Sequence, residues 1–66
     1  MKKEILEILS ESRLTSDDIK EKLIYSYPGV NHSILNESIH RELEELAEDR
    51  KLFFDFKSNS WSIRNN

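Results

Sequence analysis

The stretch that decides the fold is LFFDF at residues 52–56, followed by KSNS at 57–60 and WSIR at 61–64. The two outer runs are rich in aromatic and β-branched residues, which favour strands. The polar stretch between them contains Asn59, a residue type that tolerates a positive φ in a tight turn. This pattern predicts a β-hairpin near the carboxyl end of the chain.

A loop over residues 57–60 sets the expected register of this hairpin. Phe56 then pairs with Trp61 on the face toward the core, where Trp61 anchors the hairpin. Phe54 pairs with Ile63 on the same face, and Leu52 lies behind them. Strand alternation places a second set on the other face: Phe53, Asp55, Ser62 and Arg64. The one large apolar member of that set is therefore predicted to face outward.

Two helical patterns come first in the chain. The first runs from about Lys2 to Ser12, where apolar residues recur at helical spacing. The second is capped by the hydroxyl of Thr15 and has two carboxylates in its first turn. It is expected to end near Tyr25 or Ser26, because Pro28 disfavours helical geometry at the residue before it.

The third helix is predicted to begin at Asn31 or Ser33 and to run to about Asp49. At 100° per residue, four apolar side chains fall within roughly 80° of one another. These form its expected core stripe: Leu35, Ile39, Leu43 and Leu46. Ile34 lies off the stripe and is predicted to pack under the turn at Pro28-Gly29.

Composition favours a single small acidic domain over residues 1–66. The chain has 66 residues, no cysteine and a formal net charge of −3. One small core is therefore expected, without disulfides or thiolate-bound metal, in a reducing, cytoplasmic setting. Glu4, Glu7 and Glu11 interrupt the first apolar segment, so neither a signal peptide nor a membrane span is predicted.

Charge is unevenly distributed along the chain. Residues 1–49 hold twelve acidic and six basic residues, a balance of −6, whereas residues 50–66 hold four basic residues and one acidic residue, a balance of +3. The hairpin is therefore the part expected to attract phosphate groups.

The order of three helices and a hairpin resembles the winged helix-turn-helix superfamily. Three features carry the resemblance: Leu14-Thr15-Ser16 before the second helix, the Leu43-Leu46-Leu52 spacing, and the returning strand Trp61-Ser62-Ile63. The resemblance implies an α+β domain with three helices followed by a two-stranded β-hairpin wing.

A narrower resemblance involves the wing alone. Arg50-Lys51-Leu52-Phe53, followed by Trp61-Ser62-Ile63-Arg64, is similar to the wing of the HARE-type domain at the amino end of the RNA polymerase delta subunit. It covers about a quarter of the chain, and the loop register differs by about one residue. A role beside a polymerase is therefore admissible.

The superfamily resemblance implies contact with duplex DNA through the amino end of helix 3 and the wing, in transcription control. Position by position, it implies these residues: Asn31, His32, Ser33, Asn36, Glu37, His40 and Arg41 on the helix, with Lys57, Ser58, Asn59 and Arg64 on the wing. Asn36 is of a type that bonds adenine in the major groove. The alternative is an ordinary solvated helix face. Arg41 is nearly alone as a cation on an otherwise acidic helix.

A second hypothesis is an acidic module that docks on proteins of the transcription or replication machinery without touching DNA. The expected contact residues are outward aromatics and the acidic helix: Tyr25, Tyr27, Phe53, Glu44, Glu45 and Glu48. Acidic runs on helices are more often simply the solvated face. Homodimer formation would favour the DNA hypothesis, because one domain with few phosphate contacts binds weakly.

Catalysis, a cofactor and a metal site are not expected. His32, Asn36 and His40 recur every four residues on one helix face, but the two histidines are two turns apart without an acid between them. Paired carboxylates on an exposed helix have no desolvated cleft that would separate their pKa values. A non-enzymatic protein is therefore predicted.

Overall fold

The computed structural model describes residues 1–64 and belongs to the α+β class. Its elements, in chain order, are α1 (Lys2–Glu11), β1 (Leu14–Thr15), α2 (Ser16–Leu23), a 3₁₀ turn (Ile24–Ser26), α3 (His32–Glu48), β2 (Leu52–Asp55) and β3 (Ser60–Ile63). The three helices and the hairpin lie where the sequence predicts them, except that α2 ends at Leu23 and a 3₁₀ turn continues to Ser26. The last two residues of the expected 1–66 domain lie outside the described part.

Among residues 1–64 the sheet has three strands, so the prediction of a two-stranded wing is wrong. β1 pairs with β3 in antiparallel orientation through Leu14 opposite Trp61 and Thr15 opposite Ser60. The strand order is β1-β3-β2. A two-residue strand is too short to show alternation in the sequence, and its pairing is set by a partner far along the chain. The resulting arrangement is compatible with a winged helix.

The hairpin register differs from the prediction by two residues. Phe54 pairs with Trp61, and Leu52 pairs with Ile63. The loop therefore covers residues 56–59 instead of 57–60. A shift of two residues preserves the facing of every side chain in the strands. Phe56, however, moves from its expected core position into the loop, where it is 87% exposed.

The carboxylate of Asp55 explains the observed loop. Its Oδ1 accepts the backbone N–H of Lys57 at 3.1 Å, and its Oδ2 accepts the hydroxyl of Ser58 at 2.9 Å. An aspartate that bonds the chain two and three residues ahead favours a turn immediately after itself. The strand therefore stops at Asp55, one residue before the aromatic run ends.

The core lies between the three helices and the inner face of the sheet. The four-residue stripe of α3 is buried, as predicted, together with Ile5 and Leu9 from α1 and Ile19 and Leu23 from α2. Trp61 closes this core from the sheet side, and its indole Nε1 donates to the Ser16 hydroxyl at 3.2 Å. That bond fixes the hairpin to the start of α2.

Side-chain caps begin α2 and α3. Thr15 Oγ1 accepts the N–H of Asp18 at 3.2 Å, and Asn31 Oδ1 accepts the N–H of Ser33 at 2.8 Å. Each bond satisfies a backbone donor that the first helical turn leaves without a partner. The caps define where α2 and α3 begin. The β2-β3 hairpin is called the wing below.

A Schellman motif ends α3. The N–H of Lys51 donates to the Leu46 carbonyl at 2.9 Å, and that of Arg50 donates to the Ala47 carbonyl at 3.0 Å. Arg50 has a φ of 61°, the left-handed conformation that this motif requires. The chain reverses there and enters β2 directly.

Ile34 does not pack under the Pro28-Gly29 turn. Its side chain is 58% exposed. It lies about a quarter of a helical turn beyond the edge of the core stripe, so the helix directs it toward solvent.

Among the described residues, no helix has both the length and the apolar character that crossing a membrane requires.

Candidate nucleic-acid interface

A groove lies where α2, α3 and the wing meet. Its volume is about 360 Å³, and its walls are Thr15, Ser16, Asp17, His40, Phe54, Asn59 and Trp61. The structure therefore brings together His40 from the middle of α3 and Asn59 from the wing loop. Both are residues that the sequence assigns to a DNA-contacting surface.

The wing loop has an internal hydrogen-bond network. Asp55 holds its first half through Lys57 and Ser58, and the Ser58 and Ser60 hydroxyls lie 2.6 Å apart. Asn59 has a φ of 57°, a conformation that asparagine tolerates better than most residues. The exposed tip, which carries Lys57, is therefore held in one shape.

The same contacts lower the pKa of Asp55. The Ser58 hydroxyl is the largest cause, followed by the Lys57 N–H, while the Arg13 guanidinium contributes a smaller Coulombic effect. The Arg13 Nη1 lies 3.4 Å from Asp55 Oδ2. Because Arg13 directly precedes β1 at the opposite edge of the sheet, this ion pair directs the Asp55 carboxylate across β3.

The candidate residues of α3 divide into two groups. His32, Ser33, Glu37, His40 and Arg41 are exposed, whereas Asn36 is half-buried. His32 lines a different groove from His40, of about 350 Å³, that is formed mainly by α2 residues. The two histidines share one helix side, but they do not share one cavity.

Two of the predicted DNA-contacting side chains, those of Asn31 and Ser58, already make hydrogen bonds within the protein. The side-chain oxygen of Asn31 is occupied by the cap of α3, and the Ser58 hydroxyl is occupied by Asp55 and Ser60. These bonds hold the surface in shape. The contacts that they could make to a ligand are correspondingly fewer.

Arg64 lies at the base of the hairpin and not at its tip. Its backbone N–H donates to the Lys51 carbonyl at 3.0 Å. About four residue pairs, or roughly 13 Å at the usual strand rise, separate this pair from the loop. The structure therefore groups Arg64 with Lys51 and separates it from Lys57.

The electrostatic character of the groove is mixed. Exposed cations are present at Arg41 on α3 and Lys57 on the wing, and carboxylates are present at Asp17 in the groove wall and Glu37 on α3. The side chains of His40 and Asn59 lie in the groove itself. Such a surface can hydrogen-bond to bases or phosphates, but with a small net electrostatic attraction.

One acidic residue of the alternative docking surface is already paired. Lys2 Nζ lies 2.8 Å from Glu45 and 3.4 Å from Glu42, which connects α1 to α3. Hydrogen bonding to Lys2 lowers the pKa of Glu45, and hydrogen bonding to Glu45 raises the pKa of Lys2. Glu44 and Glu48 remain exposed beside this pair.

The aromatic candidates have different surroundings. Phe53 is 53% exposed and Tyr25 is 85% exposed, as predicted, and Tyr25 lines a groove formed by β1 and α2. Tyr27 is instead half-buried against the core, and its hydroxyl donates to Glu4. That bond lowers the pKa of Glu4 and raises the pKa of Tyr27. The prediction that Tyr27 faces outward is wrong, because the chain turns back toward α1 there.

Sequence reasoning missed Phe56 as a surface residue. Its ring meets that of Phe54 edge to face, with 5.0 Å between the centroids. The signal that could have placed Phe56 in the loop is Asp55 itself, because an aspartate side chain often accepts the backbone N–H two residues later and so begins a turn.

Within residues 1–64, no group of three or more potential ligands is arranged to hold a metal ion.

Comparisons with protein-family models, with curated proteins and with solved structures found no match to this chain. Function is therefore inferred from the surface chemistry of the molecule itself.

Proposed function

We propose that this chain is a non-enzymatic winged-helix regulator that contacts duplex DNA through α3 and the wing. The observation that carries the proposal is the shared groove of His40 and Asn59, which joins the two elements that such a domain uses on DNA. Arg41 and Lys57 are exposed on the same two elements and supply the cations for phosphate contact.

The affinity of one domain is expected to be modest. Each phosphate neutralised by a lysine or arginine strengthens binding through counterion release. Here two such residues act against Asp17 and Glu37, so binding should be detectable mainly at low salt. Hydrogen bonds from Asn36 and His40 to base edges would then add sequence preference.

Binding of a labelled duplex by three single-residue variants tests the proposal. Arg41→Ala and Lys57→Ala should each weaken binding to every duplex by a similar factor, because both contacts are to phosphates. Lys22→Ala is the matched control, since it removes an exposed cation from a groove on α2. Equal loss in all three variants would indicate non-specific attraction and count against this site.

A second candidate function is protein docking, and the exposure of Phe53 on the outer face of the hairpin favours it. An apolar side chain of this size on a small sheet is typical of an interface. The Phe53→Asp variant should then lose its protein partner and retain the melting temperature of the domain. Retention of the partner would remove this surface from the interface.

A further inference from the structure

The outer edge of β2 has unpaired backbone groups. β2 is an edge strand in the β1-β3-β2 sheet. The Arg64 N–H donates to the Lys51 carbonyl, so these two residues form a hydrogen-bonded pair of the antiparallel ladder. Such pairs alternate along the strands, so the backbone N–H and C=O groups of Phe53 and Asp55 also point toward β3. Leu52 and Phe54 therefore direct their N–H and C=O groups outward. No backbone hydrogen bond outside the regular elements uses them within residues 1–64.

Two cations lie opposite each other at the base of this edge. Lys51 and Arg64 are both exposed and form a cross-strand pair. Like charges in directly opposite positions destabilise a sheet. Neither residue belongs to an ion pair among the described residues. An anionic group bound between them would remove that repulsion.

Apolar surface continues from this cationic pair along the strand. Alternation puts Phe53, which is 53% exposed, on the face that carries Lys51 and Arg64. The carboxylate of Asp55 is already engaged by the Lys57 N–H, the Ser58 hydroxyl and Arg13. The edge thus offers cations, an aromatic side chain and backbone groups in strand geometry.

We propose that the β2 edge binds an extended acidic segment of a partner protein, which adds to the sheet as a fourth strand. This proposal rests on the docking candidate above and specifies its partner. Backbone bonds to Leu52 and Phe54 supply affinity, apolar partner residues contact Phe53, and partner carboxylates contact Lys51 and Arg64.

Charge favours this occupant over a second copy of the chain. A copy would bring its own residues 50–66, which also hold four basic residues and one acidic residue, against the first. Charged residues beside an edge strand hinder such self-pairing. Duplex DNA would satisfy the cations, but it would leave the strand-directed groups of Leu52 and Phe54 without matching partners.

Amide hydrogen exchange measured by NMR tests the proposal. The probe is a short blocked peptide of the repeating pattern Glu-Thr-Val-Thr, which puts glutamate and valine on the same strand face, and its control has lysine in place of glutamate. The glutamate peptide should slow exchange at Leu52 and Phe54, whose amides face the edge. It should leave Phe53 and Asp55 unchanged, because their amides already bond to β3.

Charge reversal provides a second arm of the test. Lys51→Glu with Arg64→Glu replaces two exposed ion pairs with like-charge contacts, so it should weaken the glutamate peptide about tenfold and strengthen the lysine peptide. Lys22→Glu is the matched control and should change neither affinity. A thermal melt of each variant verifies that the domain is folded.

Several results would overturn the proposal. The first two are unchanged amide exchange at Leu52 and Phe54 with millimolar glutamate peptide, and equally slowed exchange with the lysine peptide. The third is slowed exchange at these amides with duplex DNA alone. The fourth is exchange that slows with protein concentration in the absence of peptide, which would indicate a second copy. If the glutamate peptide fails while Phe53→Asp still loses a cellular partner, docking stands and the acidic strand is wrong. If Phe53→Asp keeps its partners as well, both proposals fall.

Discussion

Within residues 1–64, two residues other than glycine have a positive φ, and each closes an element. Arg50, with a φ of 61°, ends α3, and Asn59, with a φ of 57°, closes the wing loop. The position of Asn59 in a turn could be predicted from the sequence, because asparagine tolerates this conformation. Arg50 could not be predicted in this conformation, because an arginine gives no local signal and the Schellman motif forces it.

The variant Arg50→Gly should be more stable than the wild type. The left-handed conformation costs a residue with a Cβ roughly 1–2 kcal/mol, and glycine avoids this cost. Glycine also has greater conformational freedom in the unfolded chain, which offsets part of the stabilisation. A net increase of about 1 kcal/mol should raise the urea midpoint without changing the slope of the transition. Asn59→Gly should gain less. A lower midpoint for Arg50→Gly would contradict the assigned strain.

The Ser58 hydroxyl should control the ionisation of Asp55. Ser58→Ala removes the largest cause of its lowered pKa, so that pKa should rise toward the ordinary aspartate value in an NMR titration. Glu4, whose pKa is lowered mainly by the Tyr27 hydroxyl, is the internal control. An unchanged Asp55 pKa would mean that the loop bond is absent in solution.

The sign of the accompanying pH effect follows from this shift. Because the pKa of Asp55 is lower in the folded state, its contribution to stability is complete above the ordinary aspartate pKa. That contribution is lost as the pH falls through the lowered value. Acidification should therefore destabilise the wild type more than Ser58→Ala, as measured by thermal melts at neutral and acid pH.

At the scale of elements, the long periodic segments could be predicted and the short ones could not. The stripe of α3 repeats over several turns, so its helix and its inward face follow from the sequence. β1 has only two residues and exists because Trp61 and Ser60 lie beside it. The hairpin register was missed because one aspartate side chain, not the aromatic pattern, decides where the loop begins.

Trp61 should be the residue that keeps the hairpin on the helices. Truncation of a buried aromatic costs about 3–5 kcal/mol, which equals the whole stability expected of so small a domain. Trp61→Ala should therefore be largely unfolded by circular dichroism at room temperature. Phe56→Ala is the matched control. The Phe56 ring is 87% exposed, so this variant should have a melting temperature close to that of the wild type. A cooperative, helical Trp61→Ala would show that the hairpin is peripheral.

At the scale of the whole molecule, acidic and basic residues are concentrated in different parts of the chain. The excess of acidic residues lies in residues 1–49 and the excess of basic residues lies in residues 50–66. The sequence could predict this division, but not where each cation lies in space. Lys57 lies in the loop at the tip of the hairpin, whereas Arg64 lies beside Lys51 at its base. The proposed DNA contact and the proposed acidic segment therefore use different ends of the hairpin.

Duplex affinity measured across a range of salt concentrations tests the proposed DNA contact most directly. Two phosphate contacts, from Arg41 and Lys57, predict a slope of about −1.8 for the logarithm of the binding constant against the logarithm of salt concentration. The Arg41→Ala, Lys57→Ala double variant should bring that slope close to zero, and Lys22→Ala should leave it unchanged. No binding by the wild type at low salt, or the same slope in the double variant, would contradict a role on DNA.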